Sequence, residues 1–456
     1  MKIISFLADI TDTVKDACFE NNDGCARARR TILGTGWLTT LAAALTGGTF
    51  FSVLMLAIGA DDVFIGYISM ITTLCGLIQI LSPLLWERVL RRKPFITAYN
   101  FISNFLTYGV ITLIPFLKIA NDGKLGIYLA VSIVNSLLGG IVSPASSAYT
   151  MQSIPLSKRV NFTSVSSLVN TIINIISSFL AGIFVDSWEA KELSFAEMPP
   201  ALSAIIVMRI AALAFSMIIA LLTALFVKEY PYYDGEDIPQ KTDFSLLIKP
   251  IKNKPFLQTI MIPCLWTFIG QIIGNFFTLH LVENVKMSYT LISSAGLIST
   301  PMILILTPIW TVILKKRPWV KTLAFALAGY SFAYVCNVFI SADTQYFYFI
   351  AIVVGHLFNP CISMVTGNLI YLKLPKDDRT AFFSFYSIAS TACIFLGQTV
   401  GTLFVQWTPN LKFEWFGVPV CNLQLTSFIA AVLGLLLAAY TYKFSGTIDM
   451  TSDTIE

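Results

Sequence analysis

Long apolar runs separated by short polar loops dominate the chain. Three of the longest are ILGTGWLTTLAAALTGGTFFSVLMLAIG, ALSAIIVMRIAALAFSMIIALLTALFV and LTSFIAAVLGLLLAAY. Runs of roughly 20 apolar residues suit helices that cross a ~30 Å hydrocarbon core. In that core a helix satisfies every backbone polar group internally. Cutting the chain at its polar interruptions predicts twelve spans, the first at 32–59 and the last at 422–443. The segment KEYPYYDGEDIPQKTDFSLLIKPIKNKPF, 228–256, is the longest interruption between spans; it holds four Pro and many charges and reads as a linker between two six-span halves. The expected fold class is an all-α polytopic membrane protein. Its divisions are a segment at 1–31, a six-helix bundle at 32–227, a linker at 228–255, a second bundle at 256–443 and a tail at 444–456.

Composition agrees with this plan. The chain is 56% hydrophobic and 12% charged, with mean hydropathy +0.74. Soluble domains carry about a quarter charged residues. The few Lys and Arg residues then predict orientation. With both termini in the cytoplasm, 24 of the 30 cations lie inside, five outside and one, Arg209, within the sixth span. That asymmetry follows the positive-inside rule. The first 30 residues carry five acids before any long apolar run, unlike a cleavable signal. Ile3, Phe6, Leu7, Ile10, Val14 and Ala17 recur at helical spacing, so a short helix on the membrane surface is one reading and a polar tail the other. Net charge is +4, which gives no support to a nucleic-acid partner. Five of the eight Cys sit in apolar runs and no CxxC occurs, so inert buried thiols are expected. No sequon falls in a predicted outer loop, which fits a bacterial cytoplasmic membrane.

Two loops repeat. WERVLRRKPF (86–95) aligns without gaps with WTVILKKRPW (310–319), pairing Trp86 with Trp310, Leu90 with Leu314 and Pro94 with Pro318. SIPLSKRVNFTSVSSLVNT (153–171) matches KLPKDDRTAFFSFYSIAST (373–391), with Pro155/Pro375, Arg159/Arg379, Phe162/Phe382 and Thr171/Thr391 identical. Each echo recurs after the same number of spans, as a duplicated six-helix unit would.

With these features the chain resembles the major facilitator superfamily of secondary transporters, over essentially its whole length. The family's loop signature, G-x-x-x-D-R-x-G-R-R/K, falls here on Pro83, Glu87, Arg88, Leu90, Arg91 and Arg92. The acid and cations are kept and both glycines are replaced, so the copy is divergent. The resemblance implies two pseudo-symmetric bundles and a cytoplasmic gate at Glu87, Arg88, Arg91 and Arg92. Plain membrane anchoring is the alternative for the cations, though topology needs no acid at Glu87. The Arg of the fourth span and the G-x-x-x-G-P-x-x-G-G of the fifth span, both common in drug exporters, are missing. Asn135 occupies the first place and SLVNTIINIISSFLAGIFVD the second.

By the same resemblance, spans 1, 4, 7 and 10 line a midplane cavity, with 2, 5, 8 and 11 beside them. Polar side chains there are candidates for substrate, because an unpaired polar group in lipid is costly. They are Gln79, Asn135, Asn170, Asn174, Trp266, Gln271, Asn275, His356, Asn359 and Gln398, with Thr46 and Thr49 at similar depth. Helix–helix hydrogen bonding is the plainer role for each. No Asp or Glu lies at the centre of a span; Asp62, Asp186 and Glu283 fall at ends. Neutral amides with Trp266 and Phe residues suit a neutral, hydroxyl-rich ligand. His356 is the one internal site for a coupling proton. Arg209 has two readings, a stem snorkelling to the interface or an anion site. Gly47, Gly48, Gly139, Gly140, Pro144, Gly270, Gly274 and Pro360 mark candidate hinges.

The expectation is a monomeric solute carrier working by alternating access, with a sugar or glycoside as solute. Efflux of amphiphilic compounds is the alternative within transport, and a non-transporting receptor or scaffold the alternative outside it. No catalytic set, metal motif or cofactor motif is visible in the spans, so no enzyme activity and no cofactor are expected.

Overall fold

The computed structural model describes residues 26–86, 89, 91–152, 154, 159–195, 198–227, 250–372 and 379–448. Residues 1–25, most of the linker and the last eight residues therefore lie outside it. So do Glu87 and Arg88.

Ten of the described helices are long and apolar enough to cross a membrane. An eleventh span is a bent pair, Ala26–Thr46 and Thr49–Ala57, at 47° to each other. The expected third span differs from a plain α-helix. It runs as Lys93–Asn104, a π-helical turn at Phe105–Val110, then Ile111–Leu113 and a tight turn Ile114–Phe116. Helical chain therefore underlies all twelve expected segments, although several of them are broken or irregular. Span 1 also starts earlier than expected, at Ala26. Its Arg27 lies over the Phe226 ring, 4.4 Å from the centroid, so apolar and aromatic packing extends the helix past the last lipid-like residue.

The chain divides into two compact units. Unit 1 is Met1–Gly59 and Cys75–Thr242; unit 2 is Ala60–Leu74 and Asp243–Glu456. The first half of span 2 thus groups with unit 2, where the expected division kept it in the N-terminal bundle. Gly66 explains the closeness: a Cβ there would collide with Thr402 of span 11. At the next residue, the Tyr67 hydroxyl donates to Gln406 Oε1 at 2.9 Å.

In unit 1, span 1 breaks at Gly48, whose φ of 55° and ψ of −123° are open essentially to glycine alone. Span 4 is Asn121–Gln152, span 5 Arg159–Ala190 and span 6 Pro200–Phe226. Arg209 of span 6 is 4% exposed and does not snorkel. Its Nε donates to Thr112 Oγ1 at 2.9 Å and its Nη2 to the Thr107 carbonyl. Thr107 lies within the π-helical turn of span 3 and Thr112 just beyond it, so both acceptors sit in the irregular stretch.

In unit 2, span 7 (Lys254–Glu283) breaks at Gly274 with φ 39° and ψ −128°. Spans 8 to 12 are Tyr289–Lys316, Trp319–Val338, Tyr346–Leu372, Arg379–Trp407 and Asn422–Ile448. Span 11 carries Gly397 and Gly401, where any Cβ would strike the Phe268 and Ile272 carbonyls of span 7. Small residues four apart let two helix backbones touch. The unit 2 core gathers Ile262, Leu323, Leu327, Cys361, Val365 and Ala430, all within 1% of complete burial.

A feature absent from the expected plan joins spans 11 and 12. Strands β1 (Lys412–Trp415) and β2 (Val418–Cys421) form an antiparallel hairpin in which Trp415 faces Val418. Its two turn residues, Phe416 and Gly417, both have positive φ, at 51° and 76°. That is the turn whose twist matches paired strands. Gln424 fastens the hairpin down: it accepts from the Cys421 N–H at 2.7 Å and donates to the Val338 and Ile340 carbonyls, both at 2.9 Å. His280 Nε2 also pairs with Ile340 O at 2.9 Å. Burial pushes the Cys421 thiol up, which keeps it protonated and unreactive.

The repeated loops have parallel anchors. Trp86 donates its indole N–H to the Ile141 carbonyl, and Trp310 donates to the Leu357 carbonyl, both at 2.8 Å. Each acceptor lies three residues before a helix-interior proline, Pro144 or Pro360. A proline ring opens the helix on that side and exposes carbonyls of the preceding turn.

Candidate functional site

Spans 1, 4 and 5 of unit 1 enclose a cavity of about 680 Å³. Its polar lining comes from Thr40, Ser147, Thr150, Ser166, Asn170 and Asn174, among others, and no charged side chain contributes among the described residues. The wall is polar because span 5 repeats Ser, Thr and Asn at three- and four-residue steps, which stacks them on one helix face. Gly36 of span 1 faces Asn170, since a Cβ there would make an ordinary contact 4.0 Å from its amide nitrogen.

Hydrogen-bond accounting sets what the cavity can offer. The hydroxyl protons of Thr40, Thr150 and Thr171 are given to carbonyls one turn back in their own helices. Lone pairs remain for a ligand. Asn170 Nδ2 donates to Ser166 Oγ at 3.4 Å, whereas Asn170 Oδ1 is buried without a partner among the described residues. An unmet buried acceptor costs about 1–3 kcal/mol. A ligand that donates from hydroxyls would remove that cost.

The other expected residues scatter over several environments. Asn135 is tied to span 3: Ser103 donates to its Oδ1 at 2.7 Å and its Nδ2 donates to Thr107 Oγ1 at 3.1 Å. Gln398 donates to Gln271 Oε1 at 3.2 Å, joining spans 11 and 7, and Gln398 Oε1 is buried without a partner among the described residues. Trp266 packs edge-on against Tyr330, with ring centroids 5.1 Å apart. His356 lines a separate cavity between spans 7, 9 and 10, and its Nδ1 pairs with Ile352 O of its own helix at 2.9 Å. Asn359 is half-buried one turn further along span 10, and Gln79 is half-buried in the tight turn Leu77–Leu81. The side chain of Asn275 lies outside the described positions. Of the loop cations, Arg91 is exposed, while Arg92 is buried and donates from Nη2 to the Trp86 carbonyl at 2.9 Å.

The Major Facilitator Superfamily model matches residues 32–398. The chain belongs to the major facilitator superfamily. Solved structures of transporters from this superfamily's fold superpose along nearly its full length. The nucleoside transporter NupG does so with TM-score 0.64 and 13% identity, covering 91% of this chain and 98% of that one. A bacterial homologue of the iron transporter ferroportin gives 0.68 and 12%, with 93% and 100% covered. A D-xylose-proton symporter gives 0.60 and 14%, with 91% and 97% covered. Identities this low establish the fold alone. No curated protein matches the chain in sequence. As a member of the superfamily the protein is a multi-pass membrane transporter.

Several residues of this transporter's cavities escaped the sequence reading. The Ser and Thr hydroxyls of spans 4 and 5 were passed over in favour of amides, although their helical spacing was visible. The matched breaks also had a signal: Gly48-Thr-Phe-Phe and Gly274-Asn-Phe-Phe are 226 residues apart. Tyr330 and Tyr334 sit in span 9, which the resemblance does not place at the cavity, so nothing in the chain pointed to them.

Proposed function

We propose that this transporter carries a small, neutral, hydroxyl-rich solute, a sugar or glycoside, by alternating access of its two six-helix halves. The unit 1 cavity carries the reading. Its described lining carries no charged side chain, presents oxygen lone pairs from Ser and Thr, and holds the unpartnered Asn170 Oδ1. Among these described residues a cation meets no carboxylate and an anion no basic side chain, whereas sugar hydroxyls meet acceptors at many points. The loop cations support a cytoplasmic position for both termini, with Glu87, Arg88 and Arg91 as the gate at that face. His356 is the candidate for a coupling proton.

Counterflow of labelled monosaccharides and glycosides in proteoliposomes tests this. Exchange is expected, and Asn170→Leu should reduce it by about tenfold or more while the purified variant keeps its thermal stability. Absence of exchange across the sugar and glycoside panel would sink the proposal. Accumulation that survives a protonophore would remove His356 from coupling.

A further inference from the structure

Units 1 and 2 carry the same aromatic pair beside their helix breaks. Phe51 lies 6.3 Å from Tyr128, and Phe277 lies 6.2 Å from Tyr348, ring centroid to centroid. Phe51 and Phe277 are 226 residues apart, as are Gly48 and Gly274. Beyond this pair the units diverge. In unit 1 the Arg209 guanidinium fills the interior near Tyr108 and Tyr128. In unit 2, span 12 holds no Arg or Lys before Lys443, and a cavity of about 310 Å³ opens between spans 7, 9 and 10.

The open cavity is built for a ligand in three respects. First, several of its polar groups are unengaged, although the Tyr348 hydroxyl donates to the Ile292 carbonyl at 2.8 Å. The hydroxyls of Tyr330 and Tyr334 and the Asn337 amide have no hydrogen-bond partner among the described residues. The same is true of His356 Nε2, because that ring bonds only through Nδ1. Tyr334 is 8% exposed, so its phenol cannot turn to bulk solvent. Second, the floor is cleared by small residues. A Cβ on Gly270 would come 3.9 Å from the Tyr334 hydroxyl, and one on Gly355 3.5 Å from the Tyr330 ring. Third, no charged side chain lines it among the described residues. Polar groups that reach an open cavity without a protein partner are available to a ligand that enters it.

We propose that this cavity, complete within unit 2, binds a small neutral ring bearing hydrogen-bond acceptors. The phenols of Tyr330 and Tyr334 donate to the ring's oxygen or nitrogen acceptors. Asn337 and His356 Nε2 meet groups on its edge, and the tyrosine faces cover its apolar side. The volume is at the low end for ligand pockets, ~300–1,000 Å³, and fits one ring. A monosaccharide ring and a nucleobase share this chemistry. The choice of neutral ligand rests on the solute class proposed above, and the site shares no lining residue with the unit 1 cavity that supports it.

The test is calorimetric titration of the purified full chain in nanodiscs with methyl β-D-glucopyranoside and, separately, with uridine. Saturable binding of one probe is expected, and which one binds names the source of the ring. Tyr334→Phe keeps the ring and removes the hydroxyl, and should weaken binding about tenfold. Gly270→Ala narrows the cavity through an ordinary contact and should weaken it without lowering thermal stability, which guards against a folding artefact. Absence of binding by both probes overturns the site, as does binding that responds to Asn170→Leu but not to Tyr334→Phe or Gly270→Ala. Loss of counterflow with Tyr334-dependent binding intact would defeat the carrier reading and leave this site standing. Counterflow without Tyr334-dependent binding would defeat this site alone.

Discussion

Unit 1 and unit 2 are two copies of one plan that have been filled differently. Both break their first helix at a glycine with nearly the same dihedral angles, Gly48 at 55°/−123° and Gly274 at 39°/−128°. Both set a Trp against the carbonyl three residues before a kinking proline. In unit 1, a guanidinium from span 6 takes the space next to the aromatic pair, and a hydroxyl-lined cavity opens between spans 1, 4 and 5. In unit 2, the space next to the pair stays open and is lined by phenols. Backbone devices were therefore retained through the duplication while interior side chains diverged. Glycine breaks and proline kinks admit few substitutes, whereas a cavity lining can change one residue at a time.

The largest expected effect falls on the shared breaks. Gly48→Ala and Gly274→Ala each force a Cβ into a conformation costing about 1–3 kcal/mol. Steric crowding is not the cause, since neither added Cβ would meet an atom within 4 Å. Transport in proteoliposomes should fall by about tenfold in both variants, and a loss confined to one would show that the breaks have parted in function.

A middle-sized effect separates the tryptophans. Ile141 O accepts from Ser82 Oγ at 2.7 Å as well as from Trp86, whereas Trp310 is the one side-chain donor to Leu357 O among the described residues. Trp310→Phe should therefore destabilise by about 1–3 kcal/mol and Trp86→Phe by less. Thermal denaturation of the purified variants measures the difference, and equal losses would mean that Ser82 does not share the load.

The smallest effect concerns the repeated loops. Glu87→Gln should slow transport a few-fold, while exchanging Lys and Arg within Lys315, Lys316 and Arg317 should leave the rate unchanged. Lys316, exposed, stands where buried Arg92 does in the first copy, so the loops already differ in burial. Equal sensitivity would leave both loops with anchoring alone.

Much of the fold was legible because lipid imposes a coarse rule. Apolar length, cation asymmetry and two gapless echoes were enough to expect twelve spans in two halves. What escaped is local. The π-helical turn at Phe105–Val110 has no hydropathy signature, and it holds Thr107, whose carbonyl accepts from Arg209. Arg209 carried two readings, a snorkelling stem or an anion site, because depth along a helix was visible but the partner carbonyl on span 3 was not. The candidate site was legible in residue type and less so in grouping. Asn170 and Asn174 do share a cavity, but Asn135 is bound to Ser103 and Thr107, and Gln271 to Gln398. A polar residue in a span tells that a partner exists, and only packing tells whether that partner is protein or solute. The hairpin did leave a trace, KFEWFGVPVC, whose period-two pattern around Phe-Gly is easily lost between two apolar runs.

That hairpin gives unit 2 a rigid handle. Gln424 and His280 staple its base to the ends of spans 7, 9 and 12, and its tip residue Phe416 is 86% exposed. A spectroscopic label placed at the tip would move with the whole unit and not with a loose loop. The position that looks most expendable in the chain is thus the one from which the motion of half the molecule can be followed.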